Sequence, residues 1–384
     1  MFFDYTAPNN ILFGNGRLAE VGGAAARMGS RALVVSGTTE TLLDRLLQLL
    51  WASDLETVLW RTGGEPTVDD ASKATALARQ ENCHLVIGFG GGSAIDTGKA
   101  VSALLTNTGD LFDYLEVIGR GKIISQPAAP LIAIPTTAGT GAEVTRNAVL
   151  GAPDQRVKVS MRSPLMLPRL ALVDPELTYD LPPHITASTG LDALTQLIEP
   201  FVSIKANPMT DAFCREGLRR AAGALRQAYV QGHDPQARQD MALASLLGGL
   251  ALANAGLGAV HGFAAPLGGM FSGPHGAICA HLLPYVMEAN LRSLNSRQPD
   301  SPALPRYAEL ARILTGDPLA RAEAGVTWVG ELCAALQVPP LSTYGVTLED
   351  LPVLVEKSAQ ASSMKANPIK LNPGDLQEIL ERAL

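Results

Sequence analysis

The stretch His84-Leu-Val-Ile-Gly-Phe-Gly90-Gly-Gly-Ser93-Ala-Ile-Asp96 decides how this chain is read. Its first half is a compact apolar run of the kind buried inside a sheet. Its second half is a glycine-rich turn that opens a helix from about Ala94. Glycine lets a backbone come close to a phosphate, and a helix N-terminus adds amide donors and a positive dipole end. A tight strand-to-helix turn with no ligand is the competing reading of the same residues.

The rhythm repeats on both sides. Asn10-Ile-Leu-Phe-Gly14 reads as a short strand and Leu18–Met28 as an Ala-rich helix. Arg31–Ser36 is a β-type run ending at Gly37-Thr38-Thr39, with a helical stretch to about Ala52. Leu55–Trp60 reads as a strand, Val68–Gln80 as a helix, and Pro130–Pro135 as another buried strand ending in Thr136-Thr137-Ala138-Gly139-Thr140. Strands that alternate with helices and end in Gly, Ser or Thr indicate an open parallel sheet, whose ligands sit at the carboxyl ends of its strands. Two hydroxyl-and-glycine loops, 90–96 and 136–143, fit a dinucleotide better than either does alone.

Beyond Tyr179 the pattern changes. Ala187–Phe201, Asp211–Gln227 and Asp240–Ala255 have helical periodicity and no strand is evident. Residues 295–306 and 338–344 read as loops. Pro182-Pro183 is the expected boundary, giving an α/β N-terminal dinucleotide-binding domain with a parallel sheet (1–181) and an all-α C-terminal domain (182–384). Two domains suit a chain of 384 residues.

Hydrophobic residues make up 47%, the net charge is −7, and no Lys/Arg-rich run occurs, so neither nucleic acid nor an anionic membrane is an expected partner. The start of the chain lacks the basic and apolar regions of a signal peptide, which makes cytoplasmic the expectation. Cys83, Cys214, Cys279 and Cys333 are scattered without CxxC spacing. They read as free thiols in a reducing compartment, not as zinc ligands or a disulfide frame.

Met241–Met287 holds 47 residues without one Asp, Glu, Lys or Arg, yet it carries His261, His275 and His281. Three histidines, Asn254 and frequent Gly and Pro argue against a membrane span. A pair of buried helices around a site is the better reading, with His261 and His275 on either side of a turn containing Gly268, Gly269, Gly273 and Pro274. Satisfied core histidines are the alternative. Upstream, Ser188 and Thr189 look like helix-cap residues, and Asp192 and Gln196 are one turn apart on one face. A buried carboxylate needs a cation or strong donors. Asp192, His261 and His275 together make a two-His, one-carboxylate metal site with open positions.

Four motifs, GGGSAIDTGKA, PTTAGTGAEVT, TGLDALTQLIE and VHGFAAPLGGMFSGPHGA, resemble in order those of the iron-containing (group III) alcohol dehydrogenases. The resemblance spans essentially the whole chain. It implies an NAD(P)-dependent alcohol dehydrogenase or aldehyde reductase, a small alcohol or aldehyde substrate, a divalent metal (Fe2+ or Zn2+) and a homo-oligomer, expected as a dimer. It places the metal on Asp192, Gln196, His261 and His275, with Asp192, His261 and His275 catalytic. It places cofactor contacts on Gly37, Gly91, Gly92, Ser93, Asp96, Thr136, Thr137, Thr140, Asn147, Lys158 and Leu177.

Three positions depart from the family pattern. Gln196 stands where a histidine is usual, and an amide oxygen donates more weakly than imidazole and suits harder ions. Ala265 leaves a proton-relay position vacant. Gly37 replaces an Asp that opposes a 2′-phosphate. Phe263, Ala264 and Ala265 suggest a pocket for an uncharged substrate. A maleylacetate reductase-like enzyme and a metal-free nucleotide-binding relative are the rival expectations.

Overall fold

A computed structural model describes residues 2–384, whose contacts separate them into two compact units. One comprises Thr6–Thr137 and Gly141–Asp180; the other comprises Leu181–Leu384, Ala138–Thr140 and the residues through Tyr5.

Eight strands belong to the first unit: β1 (Asn10–Phe13), β2 (Arg31–Ser36), β3 (Glu56–Arg61), β4 (Leu85–Gly90), β5 (Leu131–Pro135), β6 (Asn147–Ala152), β7 (Val157–Arg162) and β8 (Leu170–Val173). Six form one parallel sheet in the order β1-β8-β5-β4-β2-β3. Continuous apolar runs such as Leu85–Gly90 and Leu131–Pro135 are buried along their whole length, as a sheet covered on both faces requires. The helices of this unit are α1 (Val21–Ala26), α2 (Glu40–Trp51), α3 (Val68–Gln80), α4 (Gly92–Thr106) and α5 (Leu111–Tyr114). The expected helix Leu18–Met28 divides into a 3-10 turn, Arg17–Glu20, and the short α1, which contains Gly22 and Gly23.

Strands β6 and β7 form an antiparallel hairpin outside the main sheet that the sequence reading did not anticipate. Its strands are half-buried, with Gly151 in one and Lys158 and Arg162 in the other, so neither reads as an apolar run. The hairpin is tied to α4 by a buried ammonium. Lys99 Nζ reaches Asp96 (3.1 Å), Thr145 Oγ1 (2.7 Å) and the Asn147 carbonyl (2.8 Å), while Asp96 Oδ2 accepts from Val149 N at 3.0 Å.

Glu143, in the turn Ala142–Val144, is buried, and burial raises its carboxyl pKa from about 4.5 to about 7 against the pull of Lys99. The folded chain therefore holds this proton over a pH range in which the unfolded chain has released it. Stability attributable to Glu143 is present below about pH 4.5 and is lost as pH rises to about 7. Glu143→Gln is expected to match the native chain near pH 5 and to exceed it at pH 8 by up to roughly 3 kcal/mol. Thermal midpoints at the two pH values check this; an equal shift at both would refute it.

The second unit is helical: α6 (Pro183–Val202), α7 (Pro208–Val230), α8 (Pro235–Ala255), α9 (Ala259–Met270), α10 (His275–Arg297), α11 (Ala303–Thr315), α12 (Ala322–Ala335), α13 (Leu351–Gln360) and α14 (Pro373–Arg382). Proline occupies the first helical position of α6, α7, α8 and α14, where its missing N–H is not needed. Because α6 starts at Pro183, Ser188 and Thr189 lie inside the helix and do not cap it; Thr189 Oγ1 donates back to the Ile185 carbonyl at 2.8 Å. The charge-free stretch spans three helices and not two: the end of α8, all of α9 and the first half of α10. Gly268 and Gly269 fall within α9, so the turn between the histidines is confined to 271–274. Helix α10 continues to Arg297 and shortens the expected loop to 298–302, while Leu341–Tyr344 winds into a 3-10 turn. Among the described residues no single helix is long and apolar enough to cross a membrane, and the apolar pair α8 and α9 is bent by 99° at its break.

Candidate active site

Helix α6 presents Asp192, Gln196 and Glu199 at i, i+4 and i+7, so the three side chains share one face. All three are buried. Gln196 Nε2 donates to Asp192 Oδ2 at 2.8 Å, which fixes the carboxylate and leaves Oδ1 pointing elsewhere. Glu199 joins α6 to the start of α9. Its Oε1 accepts from Val260 N at 2.7 Å and its Oε2 lies 2.6 Å from His261 Nδ1. That contact turns the other ring nitrogen, Nε2, toward Asp192 Oδ1 at 3.4 Å.

The first turn of α9 reaches this position because Gly258 precedes it; a Cβ there would lie 2.8 Å from Glu199 Oε1. Asn367 Oδ1 accepts from Ala259 N at 3.1 Å, and Asn367 is held in turn by Asn290. His275 is the first residue of α10, with Nε2 3.9 Å from Asp192 Oδ1. One turn later Cys279 places Sγ 3.7 Å from His275 Nε2. One donor atom from each of Asp192, His261, His275 and Cys279 lies within 4.8 Å of the others. Of these four only His275 is partly open, with 29% of its side chain exposed.

The charges are mutually adjusted. Burial pushes the Asp192 carboxyl up, but His261 and His275 outweigh it and hold the group below its ordinary value. Burial disfavours a charged His261, yet Cys279, Glu199 and Asp192 raise its pKa well above the usual histidine value. Burial also raises the Cys279 thiol, and the two histidines bring it below the ordinary cysteine value. Asp192 Oδ1, Gln196 Oε1 and His261 Nε2 are buried without a hydrogen-bond partner among the described residues. Orphaned polar atoms in a dry site are destabilising. A divalent cation satisfies a carboxylate oxygen and an imidazole nitrogen together, so this donor set fits one.

In the first unit, β2, β4 and β5 end level with one another, Ser36 beside Phe89 and Gly90 beside Pro135. Gly37 N donates to the Phe89 carbonyl and Thr136 N to the Gly90 carbonyl, both at 3.0 Å. Gly90 has φ 152°, a conformation that side chains rarely adopt, and a Cβ on it would crowd Gly37. Helix α4 begins at Gly92 with no capping side chain. Gly37, Gly91, Gly92, Ser93, Thr136 and Thr137 are thus gathered at one edge, with Thr140 a little further along the second loop.

The other expected cofactor contacts have partners within the chain. Asp96 and Asn147 hold the hairpin to α4, and Lys158 Nζ is 3.0 Å from Glu65. Leu177 packs into the apolar core under the sheet. Phe263 and Ala264 are fully buried in the helical core and line no open pocket; only Ala265, one turn after His261, is partly exposed. Glu199 and Cys279 went unassigned in the sequence reading, and Cys279 had been set apart from metal binding. The signals were present: Glu199 follows Asp192 by seven residues, and Cys279 follows His275 by four.

A family model described as "Iron-containing alcohol dehydrogenase" matches residues 8–175, and one described as "Fe-containing alcohol dehydrogenase family, C-terminal" matches residues 186–384. The 1,3-propanediol dehydrogenase of Klebsiella pneumoniae is 35% identical over 395 residues, covering 99% of this chain and 98% of that protein. The crystal structure of a 1,3-propanediol oxidoreductase superposes with a TM-score of 0.93 at 33% identity over 100% of both chains. The sulfoacetaldehyde reductase of Bifidobacterium kashiwanohense, solved in complex with NAD+, superposes with a TM-score of 0.87 at 30% identity over 100% of this chain and 99% of that one.

Proposed function

Because the chain belongs to the iron-containing alcohol dehydrogenase family, we propose that residues 1–181 bind the nicotinamide dinucleotide and residues 182–384 bind a divalent ion and the substrate. The protein is an oxidoreductase acting on CH–OH groups, passing a hydride between NAD(P) and a small alcohol or carbonyl compound. The proposed ion ligands are Asp192, His261 and His275, with the weaker amide oxygen of Gln196 beside them. The observation that carries this reading is the meeting of two buried, unpartnered atoms, Asp192 Oδ1 and His261 Nε2, 3.4 Å apart, with His275 Nε2 3.9 Å from the first.

When bound, Fe2+ or Zn2+ supplies a Lewis acid for the substrate oxygen, and NAD(P)H supplies the hydride. The chain's own residues prepare that chemistry. With an ion bound, Glu199 would accept a hydrogen bond from His261 Nδ1 and so leave Nε2 as the lone-pair nitrogen. Gln196 holds Asp192 so that Oδ1 stays available. Burial of Asp192, His261 and Cys279 excludes water from three sides and leaves the His275 side for substrate entry. Ala265 carries no exchangeable proton, so proton exchange falls to solvent on that same side. Aldehyde-dependent NAD(P)H oxidation that is lost on chelation and restored by divalent ion tests the assignment. Full turnover in metal-stripped protein would overturn it.

We further propose that NADPH serves at least as well as NADH. Gly37 follows β2 without a carboxylate to oppose a 2′-phosphate, and Arg61 ends the neighbouring β3 beside Ser36, bonding the Thr38 carbonyl at 3.0 Å and pairing with Glu40. A tenfold preference for NADH in kcat/KM, about 1.4 kcal/mol, would sink this. Gly37→Asp should move preference toward NADH. A Cβ at Gly37 would lie 2.8 Å from Thr62 Oγ1, so the clean comparison places Gly37→Asp in a Thr62→Ala background.

A further inference from the structure

We propose that Cys279 Sγ is a ligand of the divalent ion, so that this chain holds its metal with one carboxylate, two imidazoles and a thiolate. The inference rests on the metal reading above and puts the sulfur, in place of the weak Gln196 oxygen, as the fourth donor. Cys279 is fully buried on α10, one turn after His275; it sits at the edge of the apolar core with its sulfur 3.7 Å from His275 Nε2 and within 4.8 Å of donor atoms of Asp192 and His261. Cys333 shows the contrast: its Sγ donates to the Ala280 carbonyl at 3.3 Å, the ordinary fate of a buried thiol.

The spacing agrees with a single ion. Metal–nitrogen and metal–oxygen bonds of about 2.0–2.1 Å and a metal–sulfur bond of about 2.3 Å place tetrahedral N or O donors about 3.3 Å apart and sulfur about 3.6 Å from either. Of the six separations, three are 3.4 Å for His261 and Asp192, 3.7 Å for Cys279 and His275, and 3.9 Å for His275 and Asp192, and all lie within 4.8 Å. Two of these atoms, Asp192 Oδ1 and His261 Nε2, are otherwise orphaned.

The chemistry follows from the donor types. A carboxylate and a thiolate together cancel the charge of a divalent ion inside a dry site. Gln196 alone would suit a harder ion, whereas thiolate is soft and turns selection toward zinc. The sulfur thereby provides the strong donor that the amide oxygen does not. Asp192, His261, His275 and Cys279 would hold the ion, which would supply a Lewis acid for the substrate oxygen.

Cobalt substitution tests this without reference to activity. Chelator-stripped protein loaded with Co2+ is expected to show d–d absorption in the visible and a thiolate-to-cobalt charge-transfer band in the near ultraviolet. Cys279→Ser should keep the d–d bands, lose the charge-transfer band and bind Co2+ at least about tenfold more weakly. Cys333→Ser should retain the band. Native protein with d–d absorption but no charge-transfer band overturns the thiolate ligand and leaves the Asp192, His261 and His275 reading intact. Failure to take up cobalt at all overturns both. Should Cys279→Ser not fold, X-ray absorption of the native zinc protein decides. A sulfur shell at about 2.3 Å supports the proposal, and a shell of nitrogen and oxygen alone refutes it.

Discussion

His275→Ala is expected to lower turnover by at least about a thousandfold, roughly 4 kcal/mol of transition-state stabilisation, while NAD(P)H still binds and quenches or shifts its fluorescence as in the native protein. His275 is the single member of the metal cluster that is partly exposed, so removing it opens the site to water as well as deleting a donor. Gly37, Gly91, Gly92, Ser93, Thr136 and Thr137 belong to the other compact unit. Metal content after dialysis should fall in parallel with turnover. Turnover within about tenfold of native, with metal absent, would remove the ion from the mechanism.

The second large effect is expected at Gly276. A Cβ there would lie 2.9 Å from the Ser188 carbonyl carbon and closer still to its oxygen, so backbone meets backbone where α10 starts against α6. No side chain can rotate away to relieve this. Gly276→Ala should lower stability by about 1–3 kcal/mol and, because the neighbouring residue is His275, drag Nε2 away from Asp192 Oδ1. Thermal midpoint and metal retention are the two readouts. A fall in midpoint with unchanged metal retention would mean that the helix contact is packing alone and does not set the site.

How much of this was legible in the sequence depends on whether each signal was local. The runs at Leu85–Gly90 and Leu131–Pro135 are apolar throughout, so their burial and strand character were plain. The hairpin was hidden because its apolar residues (Ala148, Leu150, Val159, Met161) only alternate with polar ones, and its tie to Lys99 lies far away in sequence. Strand β8 is only four residues long and carries almost no periodic signal. In the site, Asp192, His261 and His275 stood out as polar residues in apolar surroundings. Glu199 did not, since a glutamate followed by proline near a helix end reads as a solvated residue; its partner lies 62 positions away. Cys279 was not singled out because cysteines are read by CxxC spacing, whereas this one stands one turn after a histidine. Asp96 and Lys158 are expected at the cofactor by resemblance, and the fold adds what spacing could not show: Asp96 accepts from Val149 N, and Lys158 pairs with Glu65.

Lys99 also has a mechanical consequence. Its ammonium fastens the first turns of α4 to both Thr145 and Asn147, and Asp96 fastens the same turns to Val149. The glycine loop and the hairpin are therefore one lever rather than two parts. Any tilt of α4's opening turns is transmitted through a desolvated joint to β6 and, by its ladder, to β7, with no slack in between.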